Sequence, residues 1–279
     1  MVERTEPLRG RLHHLQLGSP EPQRLARFYA DVLGMTAEEQ DGRFLCRTRG
    51  RRHYFAPGPA KTLQFAAYAL EGQAALDGLA ARLARHGVAH EPSPTELFEA
   101  NALAVRDPDG NRLVFGLARS DQGASPRMPA RLQHLVLGSP DAARMVAFYS
   151  EVLGYRVSDR VVDDGGTLRT CFLRSDDEHH SFAVFQTELS RLDHHCYETP
   201  DWNAIRDWGD LLAAKRIPVT WGPGRHGPGN NLFLFFHDPD GNWLEVSAEL
   251  EVVTPDRAIG LWPHAERTLN IWGQAPLRS

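Results

Sequence analysis

A chain of 279 residues has room for one large domain or two of about 140 residues each. Its 42% hydrophobic and 24% charged content suits a packed globular core, and a net charge of −5 argues against a general nucleic-acid or anionic-membrane binder. The three cysteines (Cys46, Cys171, Cys196) form no CxxC pair, which excludes a disulfide scaffold and a zinc ribbon. No apolar run approaches the ~18 residues of a membrane span. The N-terminal MVERTEPLRGRLHHL has no signal-peptide stretch, so a cytoplasmic protein is expected.

The first element is an alternating apolar segment from Leu12 through His14, which reads as a strand. Gly-Ser-Pro follows, where Ser19 can cap a helix whose first turn takes the proline. Leu25, Phe28, Tyr29, Val32 and Leu33 lie at helical spacing, and Gly34 ends that helix. A second helix is predicted near 73–86, and the turn former DPDGN then links two late strands.

The same series recurs. RLHHLQLGSPEPQRLARFYADVLGM at 11–35 matches RLQHLVLGSPDAARMVAFYSEVLGY at 131–155 in 14 of 25 positions. RDPDGNRLVFG at 106–116 matches HDPDGNWLEVS at 237–247. Ser139 repeats the capping serine, and Met145, Phe148, Tyr149, Val152, Leu153 and Gly154 repeat the helix, with its companion near 203–215. Two homologous domains follow. Their expected bounds are 1–120 and 130–250, with a breaker-rich linker at 121–129 and a tail at 251–279. The fold class is α+β, each domain being a pair of βαβββ modules.

Eight of the 13 histidines follow the linker. His134, the doublets His179-His180 and His194-His195, His226 and Glu245 all fall in the second domain. Two histidines and a carboxylate on strands can form a facial triad with open positions, the arrangement suited to non-haem Fe(II). The first domain has Val114 in place of Glu245 and no histidine in TLQFAAYA, so it is expected to be metal-free.

The module order, FYxxVLG on the first helix and DPDGN before the last strand resemble the vicinal oxygen chelate (glyoxalase/extradiol dioxygenase) superfamily over residues 11–249. That resemblance implies a curled, funnel-like mixed sheet in each domain. Within the superfamily, the chain resembles the type I extradiol catechol dioxygenases. The resemblance implies His134, His195 and Glu245 as metal ligands, His180 as the acid–base partner and His226 as a substrate hydrogen-bonding group. Three intervals carry it: fifteen residues from His180 to His195, six from Pro239 to Glu245 and nineteen from His226 to Glu245. Adjacent strand residues face opposite sides, so each doublet admits a slip of one residue, leaving His179 and His194 as alternatives.

The resemblance further implies Fe(II), with Mn(II) as an alternative, a catechol-type substrate, O2, and a homo-oligomer. Val136, Phe172 and Phe182 are expected to wall the pocket. Phe235 stands where the family usually has a substrate-binding tyrosine. Two other functions remain: a metal-free aromatic-ligand-binding protein of bleomycin-resistance type, and a glyoxalase-like metalloenzyme.

Overall fold

The computed structural model describes residues 7–120, 125–254 and 256–277. Positions 1–6 of the first domain, 121–124 of the expected linker, and 255, 278 and 279 of the tail lie outside the described residues.

The first domain runs β1 (Gly10–Ser19), α1 (Pro22–Leu33), β2 (Thr36–Gln40), β3 (Arg43–Thr48) and β4 (Arg51–Pro57). It continues with β5 (Thr62–Leu70), α2 (Gln73–Arg85), β6 (Glu91–Pro92), β7 (Leu103–Arg106) and β8 (Arg112–Gly116). The second repeats the plan with β9 (Arg131–Ser139), α3 (Ala142–Ala147), β10 (Arg156–Val162), β11 (Leu168–Arg174) and β12 (Phe182–Gln186). Its second module is β13 (Arg191–Thr199), α4 (Trp202–Ala214), β14 (Trp221–Arg225), β15 (Leu232–His237) and β16 (Trp243–Ala248). The tail adds β17 (Gly260–Pro263) and the short α5 (Glu266–Leu269).

Helix boundaries follow local chemistry. Gly34 closes α1 in the left-handed conformation (φ 64°), its N–H donating to the Ala30 carbonyl. In the second copy, α3 passes into a π-helical turn at Phe148–Leu153 that ends on Gly154 at φ 87°. The helix starts differ from expectation. Ser19 and Ser139 accept from the N–H groups of Glu21 and Asp141, each making a turn one step before its helix. The α1 cap is Glu21, with Pro22 rather than Pro20 in the first turn, and the α3 cap is Asp141, whose carboxylate accepts from Arg144 N.

The sheets require a larger correction. The eight-stranded sheet has order β2-β3-β4-β1-β5-β8-β7-β6, and the nine-stranded one β14-β15-β16-β13-β9-β12-β11-β10-β17. Both are open, with distinct edge strands that do not meet, so neither sheet is the curled funnel that the resemblance implied. The two modules of each domain join only at the centre, through the antiparallel pairs β1–β5 and β9–β13. At the outer edges, β6 is two residues long and β17 continues the sheet beyond β10.

One hydrophobic core spans both domains, drawing Tyr29 and Leu25 from α1, Leu79 from α2, Met145 and Tyr149 from the α3 segment, and Trp208 from α4. Smaller clusters occupy other sheet surfaces, one around Phe98 and Val114 and one around Val136, Phe172 and Phe185. Two reciprocal contacts tie the domains. Tyr29 Oη donates to Asp238 Oδ2 (3.1 Å), and Tyr149 Oη donates to Asp107 Oδ2 (3.2 Å). Each pairs the FY of one domain with the DPDGN turn of the other, so the two repeated motifs are two halves of one interdomain contact.

Between the domains His53 Nε2 lies 2.5 Å from Tyr197 Oη, and the His53 ring centroid lies 5.2 Å from that of His195. Tyr29→Phe removes the hydroxyl donor to the buried Asp238 carboxylate, and denaturant titration is expected to show a loss of about 1–3 kcal/mol. Burial also pushes His53 down to about 3. Below pH 6.5 the unfolded chain therefore binds a proton that the folded chain refuses, which costs stability at about 1.4 kcal/mol per pH unit until the folded group titrates. Denaturation of His53→Gln from pH 6.5 to 4 is expected to show a shallower acid decline by that increment.

Candidate metal centre

Three adjacent strands build the site. In the pairing of β9, β13 and β16, Cys196 stands opposite both His134 and Glu245. One ligand atom from each of His134, Cys196 and Glu245 lies within 4.8 Å of the others, a cluster able to chelate a divalent cation. His194, two residues before Cys196 and on the same strand face, turns its Nε2 to Glu245 Oε2 at 3.2 Å. His134 Nε2 lies 3.1 Å from the same oxygen, and His226 Nε2 lies 3.5 Å from Oε1.

The protons on these rings can be placed from their partners. His134 Nδ1 faces Gln133 Oε1 (2.5 Å), while the Gln133 amide nitrogen is committed to Glu178 Oε2 (3.1 Å) and the His180 carbonyl (2.7 Å). His194 Nδ1 faces Asp193 Oδ1 (2.6 Å), and His226 Nδ1 faces the Leu269 carbonyl. Each acceptor takes the Nδ1 proton, so Nε2 is the nitrogen each ring turns to Glu245: it donates to the carboxylate when the ring is charged and offers a lone pair to a metal when the ring is neutral. Asn231 Nδ2 donates to Glu245 Oε1 at 3.2 Å.

Electrostatics agree. Burial would raise the Glu245 carboxyl, but His134, with hydrogen bonds from His194 and His226, holds it well below the usual range. Burial would lower His194, but the Asp193 and Glu245 carboxylates raise it. His134 is lowered by burial, partly offset by Glu245. Cys196 differs: burial, reinforced by Glu245 and Glu198, pushes its thiol well above its ordinary value. Its Sγ donates to Ser247 Oγ at 3.2 Å. Beside the His134–Cys196–Glu245 cluster, His134, His194 and Glu245 make a second candidate set whose nitrogen and oxygen donors suit a hard-to-borderline divalent ion.

His195, expected as a ligand, is placed on the opposite face of β13. Its Nε2 lies 3.2 Å from Tyr29 Oη and its ring belongs to the domain interface. The interval of fifteen residues is met equally by His179 to His194, so spacing could not choose between the doublets. The internal repeat held the deciding signal. Aligning β5 with β13 through Tyr68 and Tyr197 sets His195 beside Ala66, a shared-core residue, and His194 beside Phe65, which packs on the other face.

A narrow cavity opens beside the cluster, lined by His134, His194, Glu245, His180, His226, Val136, Phe172, Phe185, Pro228, Thr268 and Leu269. Val136 and Phe172 thus wall it as expected. Phe182 does not: it stacks on Tyr149 at 3.9 Å in the helix-side core. The expectation assumed one continuous strand through His180, but β12 begins only at Phe182, so alternation does not reach back to that histidine. Alternation from Ala183, which pairs with Val136, leads instead to Phe185. Phe235 is fully buried against His194 (5.2 Å), Trp221 (5.0 Å) and Trp243 (4.6 Å), outside the cavity wall. Thr268 and Leu269 come from the tail, which carried no sequence signal for a pocket.

In the first domain the counterpart of His134 is His14, whose Nε2 pairs with Thr95 Oγ1 at 2.9 Å, and Val114 occupies the register position of Glu245. Phe98 and Leu97 pack into that side of the sheet.

Residues 11–115 and 131–246 both match the Glyoxalase/Bleomycin resistance protein/Dioxygenase superfamily, and the chain belongs to that superfamily. Among individual proteins, it is 28% identical to a 3-methylcatechol 2,3-dioxygenase of Pseudomonas putida, over 85% of this chain and 91% of that protein. Its fold matches homoprotocatechuate 2,3-dioxygenase from Brevibacterium fuscum, solved as an anaerobic complex with 3,4-dihydroxyphenylacetate (TM-score 0.84, 23% identity, 99% of this chain and 93% of that one). It also matches a Mn(II)-bound glyoxalase from Novosphingobium aromaticivorans (TM-score 0.80, 27% identity, 95% and 91%).

The two faces of β13 make separable predictions. His194→Ala is expected to abolish stoichiometric binding of a divalent ion, measured by metal analysis after dialysis. His195→Ala is expected to retain the metal and instead lower the unfolding midpoint.

Proposed function

We propose that this chain is a non-haem Fe(II)-dependent extradiol dioxygenase that opens a catechol-type aromatic by meta cleavage, inserting both atoms of O2. The observation that carries this reading is the convergence of three Nε2-presenting histidines on one buried carboxylate at the end of an apolar cavity. His134, His194 and Glu245 would hold the ion, and Mn(II) suits the same oxygen and nitrogen donors. When bound, the metal supplies Lewis acidity towards the diol and one-electron chemistry towards O2. The first domain serves as a metal-free scaffold. The homo-oligomer implied by the resemblance belongs to the same proposal.

The chain's own side chains supply the rest. Val136, Phe172, Phe185 and Leu269 offer apolar surface for an aromatic ring and keep water out. His226, with its Nδ1 proton given to the Leu269 carbonyl, presents Nε2 as an acceptor for a diol hydroxyl. His180 lines the same cavity, and burial, with His134 and His179, lowers it well below its usual value, so it starts neutral and can take up a proton and return it. No cationic side chain lines the cavity among the described residues, which favours a catechol with uncharged or alkyl substituents over one bearing a carboxylate.

The Mn(II)-bound glyoxalase likeness supports a second reading, a metal-assisted isomerase. Such chemistry needs a proton-abstracting carboxylate besides the ligand, and among the described residues Glu245 is the sole carboxylate of the cavity lining. A metal-free ligand-binding role would leave the Nε2 convergence without a purpose.

The test is anaerobic loading with Fe(II), followed by oxygen uptake and absorbance scans across neutral and carboxylate-bearing catechols. Oxygen consumption with a yellow ring-opened product is expected, fastest for the neutral catechols and lost in His194→Ala and Glu245→Ala. His180→Ala is expected to lower turnover by ~10²–10⁴-fold. Stoichiometric iron without oxygen uptake for any catechol would overturn the dioxygenase reading.

A further inference from the structure

His180 is held by a chain of buried groups that reaches from the cavity to the tail. Its Nδ1 lies 3.0 Å from His179 Nδ1, and His179 Nε2 lies 3.1 Å from Asp159 Oδ2. Asp159, on β10, is fully buried. Its carboxylate gathers three further donors, all from the tail: Arg257 Nη1 (2.7 Å) and Gly260 N (3.0 Å) on Oδ1, and Trp262 Nε1 (2.7 Å) on Oδ2. Arg257 is fixed in turn by both oxygens of Glu251, at 2.8 and 2.9 Å.

The direction of this chain follows from donor and acceptor capacity. His179 Nε2 meets the carboxylate as a close contact off the line of a hydrogen bond, and a carboxylate oxygen at 3.1 Å favours a proton on that nitrogen over a lone pair. A neutral His179 then has a bare Nδ1. Facing it, His180 Nδ1 must be the donor, because two lone pairs at 3.0 Å would repel in a site closed to water. His180, which lines the cavity, is left with its proton on Nδ1 and a free lone pair on Nε2.

We propose that Asp159, acting through His179, fixes His180 in the Nδ1–H tautomer, so that its Nε2 is ready to accept a proton in the cavity. This rests on reading His180 as the acid–base residue and makes Asp159 and His179 positioning residues. The arrangement also assigns the tail a task, since Arg257, Gly260 and Trp262 hold the carboxylate from which the order runs.

Two measurements test it. In metal-free protein labelled with 15N-histidine, NMR reads the tautomers directly. His180 is expected to show Nδ1–H and His179 Nε2–H, and Asp159→Asn is expected to populate the other tautomer of each. An Nε2–H form of His180, or a doubly protonated His179, in the unsubstituted protein overturns the proposal without reference to activity.

The second measurement uses the Fe(II)-loaded enzyme. Asp159→Asn is expected to lower kcat by about 10²-fold, within the range for losing general acid–base help, while KM and metal content stay within twofold. In a His180→Ala background the same substitution is expected to change kcat no further. A loss that multiplies in both backgrounds, or one that appears in KM or metal content, marks a merely structural role and overturns the proposal. Should Asp159→Asn disturb the tail, His179→Phe removes the relay at similar ring size and is expected to give the same pattern. If the loaded, unsubstituted protein cleaves no catechol, the dioxygenase reading fails, and the tautomers still decide whether Asp159 sets His180.

Discussion

The reciprocal tyrosine–aspartate contact between the domains is the constraint on which the site depends. Tyr29 reaches Asp238 and Tyr149 reaches Asp107, each across the boundary and each with both partners buried. Burial raises both carboxyls, Asp238 to about 6, which marks groups removed from water and left to internal donors. The Asp238 turn leads into β16, the strand that carries Glu245, and Tyr29 also touches His195 on the back of β13. The interdomain face thus fixes the two strands whose other faces bear Glu245 and His194.

This explains why a first domain with Val114 at the carboxylate position is still needed. It supplies the surface against which β13 and β16 are set, and one core runs through both halves. Small domains bury a limited share of their surface, and a joint core gives each half more apolar burial than it has alone. The buried Arg51 serves the same joint, its guanidinium donating to the carbonyls of Ala130, Met128 and Leu33.

Much of the plan was legible because it is repeated. The FY and DPDGN motifs, the two helices per domain and the βαβββ order are periodic or turn-specified features that local sequence encodes. Val136 and Phe172 line the cavity as expected, Val136 because it lies two residues from His134 on β9. The face of each histidine in the His194-His195 doublet was not read from spacing, because His179 to His194 and His180 to His195 span the same interval; the internal repeat, which sets His195 beside Ala66 and His194 beside Phe65, carried that signal. Phe182 misled because strand parity was carried through an irregular segment. The openness of the sheets and the contribution of Thr268 and Leu269 arise from long-range packing, for which a single sequence gives no period to read.

The tail has one further consequence. It provides cavity wall through Leu269, the partner of His226 Nδ1 through the same residue's carbonyl, and the donors to Asp159, yet it contributes none of the three side chains proposed to hold the metal. The part of the molecule that shapes what is admitted is therefore physically separate from the part that grips the ion. Changes of bulk or polarity at Thr268 and Leu269 can retune the shape of the guest while Gly260 and Trp262 keep their hold on Asp159, an arrangement that makes the last turn of this terminus the natural place for the fold to diversify.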